Sequence, residues 1–269
     1  MKRVSLFVFV AAVAVGCGGA KKPAARGPSA AADDRIATDS GAPSSLTADD
    51  ILALYVEATG GRAAYEKLSS RVAKATMVLP SLGVKGDVEM YQQAPNKSYM
   101  KLVLGQAGTV EQGTDGTVVW ERSAMTGVRV LSGQERELGL IGAVFNAELK
   151  YKELYKSVQL MGIEAVDGAP AYKLVFTTPS GQTETRYYDK DTKLLVKSSA
   201  TVQHQMGKIS STTRYSDYRA VDGVRMPFKM EVSAMNQKRV LTLTDVKHNV
   251  AIPASRFALP PDVQKLLDK

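Results

Sequence analysis

The sequence predicts an α+β fold: a curved antiparallel sheet forming an unclosed half-barrel, with helices covering its concave face. Three observations carry this reading. From Ser70 onward the apolar period drops from the helical value to two, and two long stretches, about residues 70–131 and 158–246, keep that period. Their segments are joined by turn-length connections such as Asp115-Gly116, Asp167-Gly168, Ser180-Gly181 and Asp222-Gly223, and connections that short demand antiparallel pairing. Two further stretches, residues 47–69 and 134–155, carry apolar stripes at helical spacing. A sheet of roughly ten or more strands must curl, and each helical stripe must bury itself against a partner layer. Where the helices do not fill the concave face, a cavity is left between them and the sheet.

The elements follow in order. Thr47 is a helix N-cap with Asp50 three residues on, and Leu46 and Ile51 occupy the two positions of a hydrophobic staple. Ile51, Leu54, Tyr55 and Ala58 make the apolar stripe, Gly60-Gly61 stops the helix, and a second short helix runs over residues 62–69. Strands are expected at 70–79, 84–93, 99–104, 109–112, 118–122 and 128–131. In the interruption at 134–155, Leu138, Ile141, Phe145 and Leu149 lie at helical spacing, followed by Leu154, and Gly139 and Gly142 each weaken a helix by up to about 1 kcal/mol, so one or two helices are expected. Strands resume to about residue 246, with Pro227 placing a strand edge or bulge near Met226. Short terminal turns or helices close the chain at 254–257 and 261–267.

The N-terminus sets the location. Lys2 and Arg3 precede an apolar run over residues 4–15, too short for the roughly 20 residues that cross a bilayer and suited to a secretory signal. Ala14-Val15-Gly16-Cys17 then resembles the lipobox of bacterial lipoproteins, with Ala where Leu is usual. The resemblance implies cleavage after Gly16 and acylation of Cys17, the one cysteine among 269 residues. Gly18 in place of Asp implies the outer membrane, facing the periplasm. Residues 17–45 lack apolar periodicity and read as a tether with a root-mean-square span of about 30 Å. The expected organisation is a signal peptide at 1–16, a lipidated tether at 17–45 and one folded domain at 46–269.

Charge and composition exclude several function classes. Hydrophobic residues are 44% and charged residues 23% of the chain, as in globular proteins. Of the net charge of +8, Lys2 and Arg3 supply two, the tether one and the domain five, with no block of five or more like charges in the domain. That reads as a mixed solvated surface, and no nucleic-acid partner is expected. One Cys and two His exclude an intrachain disulfide and a Cys/His zinc cluster. There is no Gly-x-Ser-x-Gly elbow and no phosphate loop. Asp87 with Glu89 and Asp189 with Asp191 read as solvated strand or turn carboxylates, and His204 and His248 as surface or turn residues. No enzyme, catalytic residue, metal or cofactor is expected.

Several motifs carry a family resemblance. Val56-Glu57-Ala58-Thr59-Gly60-Gly61-Arg62, Ala94-Pro95-Asn96-Lys97, Gly113-Thr114-Asp115-Gly116 with Trp120, Tyr187-Tyr188-Asp189, and Tyr215-Ser216-Asp217-Tyr218-Arg219 with Val221-Asp222-Gly223 occur in that order. Together they resemble an uncharacterised branch of the periplasmic lipoprotein-carrier (LolA/LolB-like) domains over about residues 47–260. The resemblance implies an open barrel with helices as a lid over an apolar cavity that accepts acyl chains. Methionine is flexible enough to line such a cavity, and Met77, Met90, Met100, Leu102, Trp120, Ile141 and Phe145 are the expected lining. The expected function is a membrane-anchored lipoprotein binding acyl chains, lipid or another apolar envelope ligand between sheet and helices. The alternative is an accessory or scaffold lipoprotein that binds another envelope protein without ligand transfer.

Overall fold

The computed structural model describes residues 46–268 apart from 125, 205 and 206, and leaves the side chains of 107, 203, 204 and 207 undescribed. The signal segment with Gly16, Cys17, the 17–45 tether, Met206 and the His204 side chain lie outside the described residues.

Helix α1 (Ala48–Ala58) begins at a full capping box, in which Asp50 N donates to Thr47 Oγ1 at 3.2 Å and Thr47 N to Asp50 Oδ2 at 2.7 Å. It buries Ile51, Leu52, Tyr55 and Val56. Its end is fixed by Gly60, whose φ of +127° and 2.1 Å gap from an added Cβ to the Gly223 carbonyl admit no other residue. The close approach lets Arg225 N donate to Thr59 O at 2.8 Å. Helix α2 (Arg62–Glu66) is shorter than expected, ending four residues before the first strand.

Thirteen described strands form one antiparallel sheet: β1 (Ser70–Leu79), β2 (Val84–Gln93), β3 (Lys97–Val103), β4 (Thr109–Thr114), β5 (Val119–Ser123), β6 (Gly127–Val130), β7 (Ser157–Val166), β8 (Ala169–Thr177), β9 (Thr183–Asp189), β10 (Leu195–His204), β11 (Gly207–Val221), β12 (Val224–Ala234) and β13 (Gln237–His248). The order β6-β5-β4-β3-β2-β1-β13-β12-β11-β10-β9-β8-β7 makes two meanders joined where β1 pairs with β13. The sheet is not closed: β6 and β7 are its two edges, and they are consecutive in sequence. The segment between them therefore has to cross the open mouth. It contains α3 (Gly133–Ala143), a 3-10 turn (Ala147–Leu149) and α4 (Tyr151–Leu154). A last helix, α5 (Pro261–Leu267), follows a 3-10 turn (Ala254–Phe257). No described helix is long and apolar enough to cross a membrane.

Two sequence expectations need correction. The helical stripe at 134–155 breaks after Ala143, so Phe145 follows the helix and Leu149 sits in the 3-10 turn. Asn146, left-handed at φ 55°, makes the break and donates to Tyr65 O at 2.7 Å. Pro227 lies in β12, an interior strand rather than a sheet edge. It is tolerated because β12 pairs with β13 only from Lys229 onward, so the missing N–H breaks no rung of that ladder.

Candidate functional site

Cross-strand partners share a face of a sheet, so the register defines the concave side. One row runs Gly86, Met77, Leu241, Met230, Tyr215; the next runs Arg239, Val232, Thr213, Ser198, Arg186, Leu174. The same face is apolar at both ends and polar between them. At the apolar end Met77, Val88, Met100 and Leu102 are buried with Leu241, Leu243 and Phe228, and Met90 and Met230 pack against them. At the far end α1 seats Ile51, Leu52 and Tyr55 on Tyr172, Leu174, Phe176 and Tyr188. Between them, β9–β11 present Ser198, Ala200, Ser211 and Thr213.

Helix α3 bridges the two lips of the mouth. On one side Gly139 lies against Val119 of β5, and Arg129 of β6 links Glu121 (2.9 Å from Nε) with Glu135 (3.0 Å from Nη2). Burial pushes the Glu121 carboxyl above its usual range, against the pull of Arg129. On the other side Glu137 accepts from Thr178 Oγ1 at 2.8 Å and from Ser180 N at 3.0 Å, at the tip of the β8–β9 hairpin. Burial opposes the Glu137 charge, but the Ser180 and Thr178 hydrogen bonds outweigh it and hold the carboxyl below its usual range. Only Ala143 of α3 is fully buried, against four large side chains of α1. Helix α1 is thus an apolar anchor, and α3 a strap held mainly by polar contacts.

Under the strap lies a cavity of about 30 Å³, lined by Leu138, Tyr155, Thr178, Gln182, Glu184, Ser198, Ala200, Ser211, Thr213 and Tyr215 among others. That is room for about two waters, far below the roughly 300 Å³ of an ordinary ligand pocket. An acyl chain has no ready-made space in it, so accepting one requires α3 to move. Arg186 beside it donates to Glu184 Oε2 and to Tyr155 Oη, each at 2.7 Å. Burial opposes the Arg186 charge, but Glu184 and its neighbours raise its pKa further.

The expected lining residues fall in four places. Met77, Met90, Met100 and Leu102 come together in the apolar cluster. Ile141 of α3 packs against the α1 cluster, and Phe145 joins Val56, Tyr65, Leu68 and Val224 in a third. Trp120 is on the opposite face: it pairs with Gly113, whose other partner is Tyr99, and so lies outside the Met100 row, with its ring 6.2 Å from that of Tyr99. There the C-terminal segment covers it, with Arg256 over the Tyr91 and Tyr99 rings at 4.5 and 5.4 Å and Asp262 2.5 Å from Arg122. None of the seven lines the polar cavity. The Ser/Thr pattern of β10 and β11 was the available signal, but alternation alone does not say which face of a strand is concave. His248, read from the sequence as a surface or turn residue, ends β13. Its side chain is 2% exposed, with Nδ1 3.1 Å from Asp222 Oδ2, and burial holds its pKa below the usual range. Asp189 caps its own turn, accepting from Thr192 N at 2.7 Å. Among the described residues no group of three or more His, Cys, Asp or Glu is placed to hold a metal ion.

No family model matches the sequence, and no curated protein matches it. Solved structures do. A DUF1329 family protein from Desulfovibrio piger aligns at TM-score 0.54 and 16% identity over 78% of this chain and 96% of that one. A LolA superfamily protein from Nitrosomonas europaea aligns at 0.54 and 16% over 80% and 98%. The fold is LolA-like. A protein described as an outer membrane lipoprotein-sorting protein domain from Vibrio parahaemolyticus aligns at 0.51 and 12% over 81% and 98%. At these identities the likeness establishes the LolA-like architecture, an open barrel with helices on its concave side, and no more than that.

Proposed function

We propose that this chain is an envelope lipoprotein, anchored in the outer membrane through Cys17, whose LolA-like domain binds acyl chains or a similar apolar ligand between sheet and α3. The observation that carries the reading is the contrast between the two inner helices. Burying the α1 side chains contributes about 1.5–3 kcal/mol each, whereas α3 buries one alanine fully, seats Ile141 and Gly139 only partly, and is otherwise held by the Glu135 and Glu137 contacts. Swinging α3 outward would uncover the inner face, where Met77, Met90 and Met100 supply flexible thioethers. The described conformation is then the closed, unloaded state, and desolvation of the chain, about 25 cal/mol per Å², drives loading.

The test uses the Cys17→Ala chain, so that no attached acyl group competes. It should leave the membrane fraction for the soluble one, and it should bind a dansyl-labelled fatty acid saturably. Loss of binding on pinning α3 to β5 by a disulfide, with binding restored by reduction, would tie the site to the strap. A reduced chain that retains no lipid in native mass spectrometry and binds no dansyl fatty acid overturns the reading.

One observation favours the scaffold alternative. The β6 edge is covered by α5, but β7 is an edge strand with Met161 and Ile163 58% and 49% exposed. Such an edge can accept a strand of another envelope protein. Crosslinks from β7 in cells, lost in Ile163→Lys, would favour it.

A further inference from the structure

The polar cavity beneath α3 has a feature that packing does not require. Gln182 is nine-tenths buried and lines it, and neither its Oε1 nor its Nε2 has a hydrogen-bond partner in the protein. Its amide lies close enough to Glu137 to act toward that carboxylate as a donor and favour its ionised form, but at a distance or angle outside ordinary hydrogen-bond geometry. A buried amide without a well-made hydrogen bond to the protein is costly, and a leucine of the same size would avoid that penalty. Thr178, Ser198, Ser211 and Thr213 line the same cavity; Thr178 Oγ1 is already engaged by Glu137 and Gln182 N, whereas Ser198 Oγ, 3.0 Å from Tyr215 Oη, keeps capacity for a second partner, since a hydroxyl both donates and accepts. The backbone of Gln182 holds the side chain in place: its carbonyl accepts from Thr178 N at 2.8 Å and its N–H donates to Thr178 Oγ1 at 3.2 Å.

The charge balance selects the ligand chemistry. Glu184 lines the cavity and Glu137 lies beside Gln182. The nearby cation, Arg186, is already engaged by Glu184 and Tyr155. A carboxylate or phosphate entering here would meet two acids and no uncommitted base. A neutral group bearing hydroxyl or ester oxygens meets an amide and several hydroxyls that match it. The volume of about 30 Å³ takes one such group, displacing about two waters, and not a hydrocarbon tail.

We propose that this cavity is the head-group site of the LolA-like domain, recognising the neutral hydroxyl- and ester-bearing end of a glyceride-type amphiphile through Gln182, Ser198 and Thr213. The inference rests on the apolar-ligand reading, and it places the head of that ligand under α3 while the tail follows the sheet toward the methionine cluster.

The experiment compares 1-monooleoylglycerol with oleate, which have the same tail but a neutral or an anionic head, by calorimetry on the Cys17→Ala chain. Tighter binding of the glyceride is expected. Gln182→Leu should weaken the glyceride roughly fivefold to tenfold, leave oleate unchanged, and keep or raise the melting temperature. Thr213→Val, isosteric and on the facing wall, should act in the same direction and decides the matter if the leucine variant misfolds. Oleate binding at least as tightly as the glyceride, or both variants binding the glyceride like the parent, overturns the head-group site and leaves the apolar-ligand reading standing. Binding of neither amphiphile overturns both.

Discussion

The seating of α3 on β5 can be probed by two identical substitutions three residues apart. At Gly139 an added Cβ would lie 2.7 Å from Val119 Cγ1, about 0.7 Å inside ordinary contact. Val119 is 2% exposed and sits on a strand paired on both sides, and its β-branched side chain has little rotamer freedom. The neighbour cannot yield, so the helix must. Overpacking of this kind costs about 1–3 kcal/mol, against an intrinsic helix gain of about 1 kcal/mol for Gly→Ala. At Gly142 nothing lies within 4 Å of the added Cβ, so only the gain remains. Gly139→Ala should therefore lift α3, and Gly142→Ala should firm it, with a difference of about 1–3 kcal/mol between them. Native-state hydrogen exchange across residues 133–143 reads the opening directly, and urea unfolding gives the global change. Val119→Ala should rescue Gly139→Ala, with a coupling of about 1 kcal/mol or more. If both glycine variants protect α3 equally and Val119→Ala shows no coupling, the strap does not rest on β5 as described.

Other outcomes follow from the same geometry. Arg129→Met removes the cation between Glu121 and Glu135 and should cost about 3–5 kcal/mol at pH 7; burial already holds the Glu121 carboxyl above its usual range, and protonating it relieves the repulsion, so the loss in urea stability should shrink as pH falls. Glu231 is held at about 2 by hydrogen bonds from Lys229 and Lys238, against 4.5 when unperturbed. A depressed carboxyl pKa stabilises above the unfolded value and loses that contribution as pH falls from 4.5 through about 2. The contacts are near the surface, so Glu231→Gln should cost only about 0.5 kcal/mol at pH 6 and nothing at pH 2, by chemical denaturation. Leu102→Ala, at a fully buried position in the methionine cluster, should cost about 2–5 kcal/mol in urea unfolding. Gly60→Ala forces α1 away from the Gly223 carbonyl, and a loss under about 1 kcal/mol would contradict the contact seen here.

Local chemistry made much of the fold legible. The Thr47–Asp50 capping box, the stop at Gly60 and the strands of both meanders depend on neighbours within a few residues, so spacing and turn residues were enough to read them. The ordered motifs became legible in another sense once folded, because they are turns that meet in pairs: Asn96 Nδ2 donates to Gly116 O at 3.1 Å, and Gly60 packs on Gly223. The candidate site was read less well. The expected lining set Trp120 together with Met77, Met90, Met100 and Leu102, but alternation within each strand does not say that Trp120 faces the other side of the sheet.

The order of local elements, their caps and turns, and the apolar period of each strand were determined by the sequence alone, because each arises from interactions a few residues apart. Which face of the sheet curls inward, that α3 straps the mouth between β5 and β10, and that Gln182 lines one cavity with Ser198 and Thr213 were decided only in three dimensions. Those facts depend on the twist and closure of thirteen strands and on pairings such as β1 with β13, whose members lie far apart in the chain and leave no periodic trace in it.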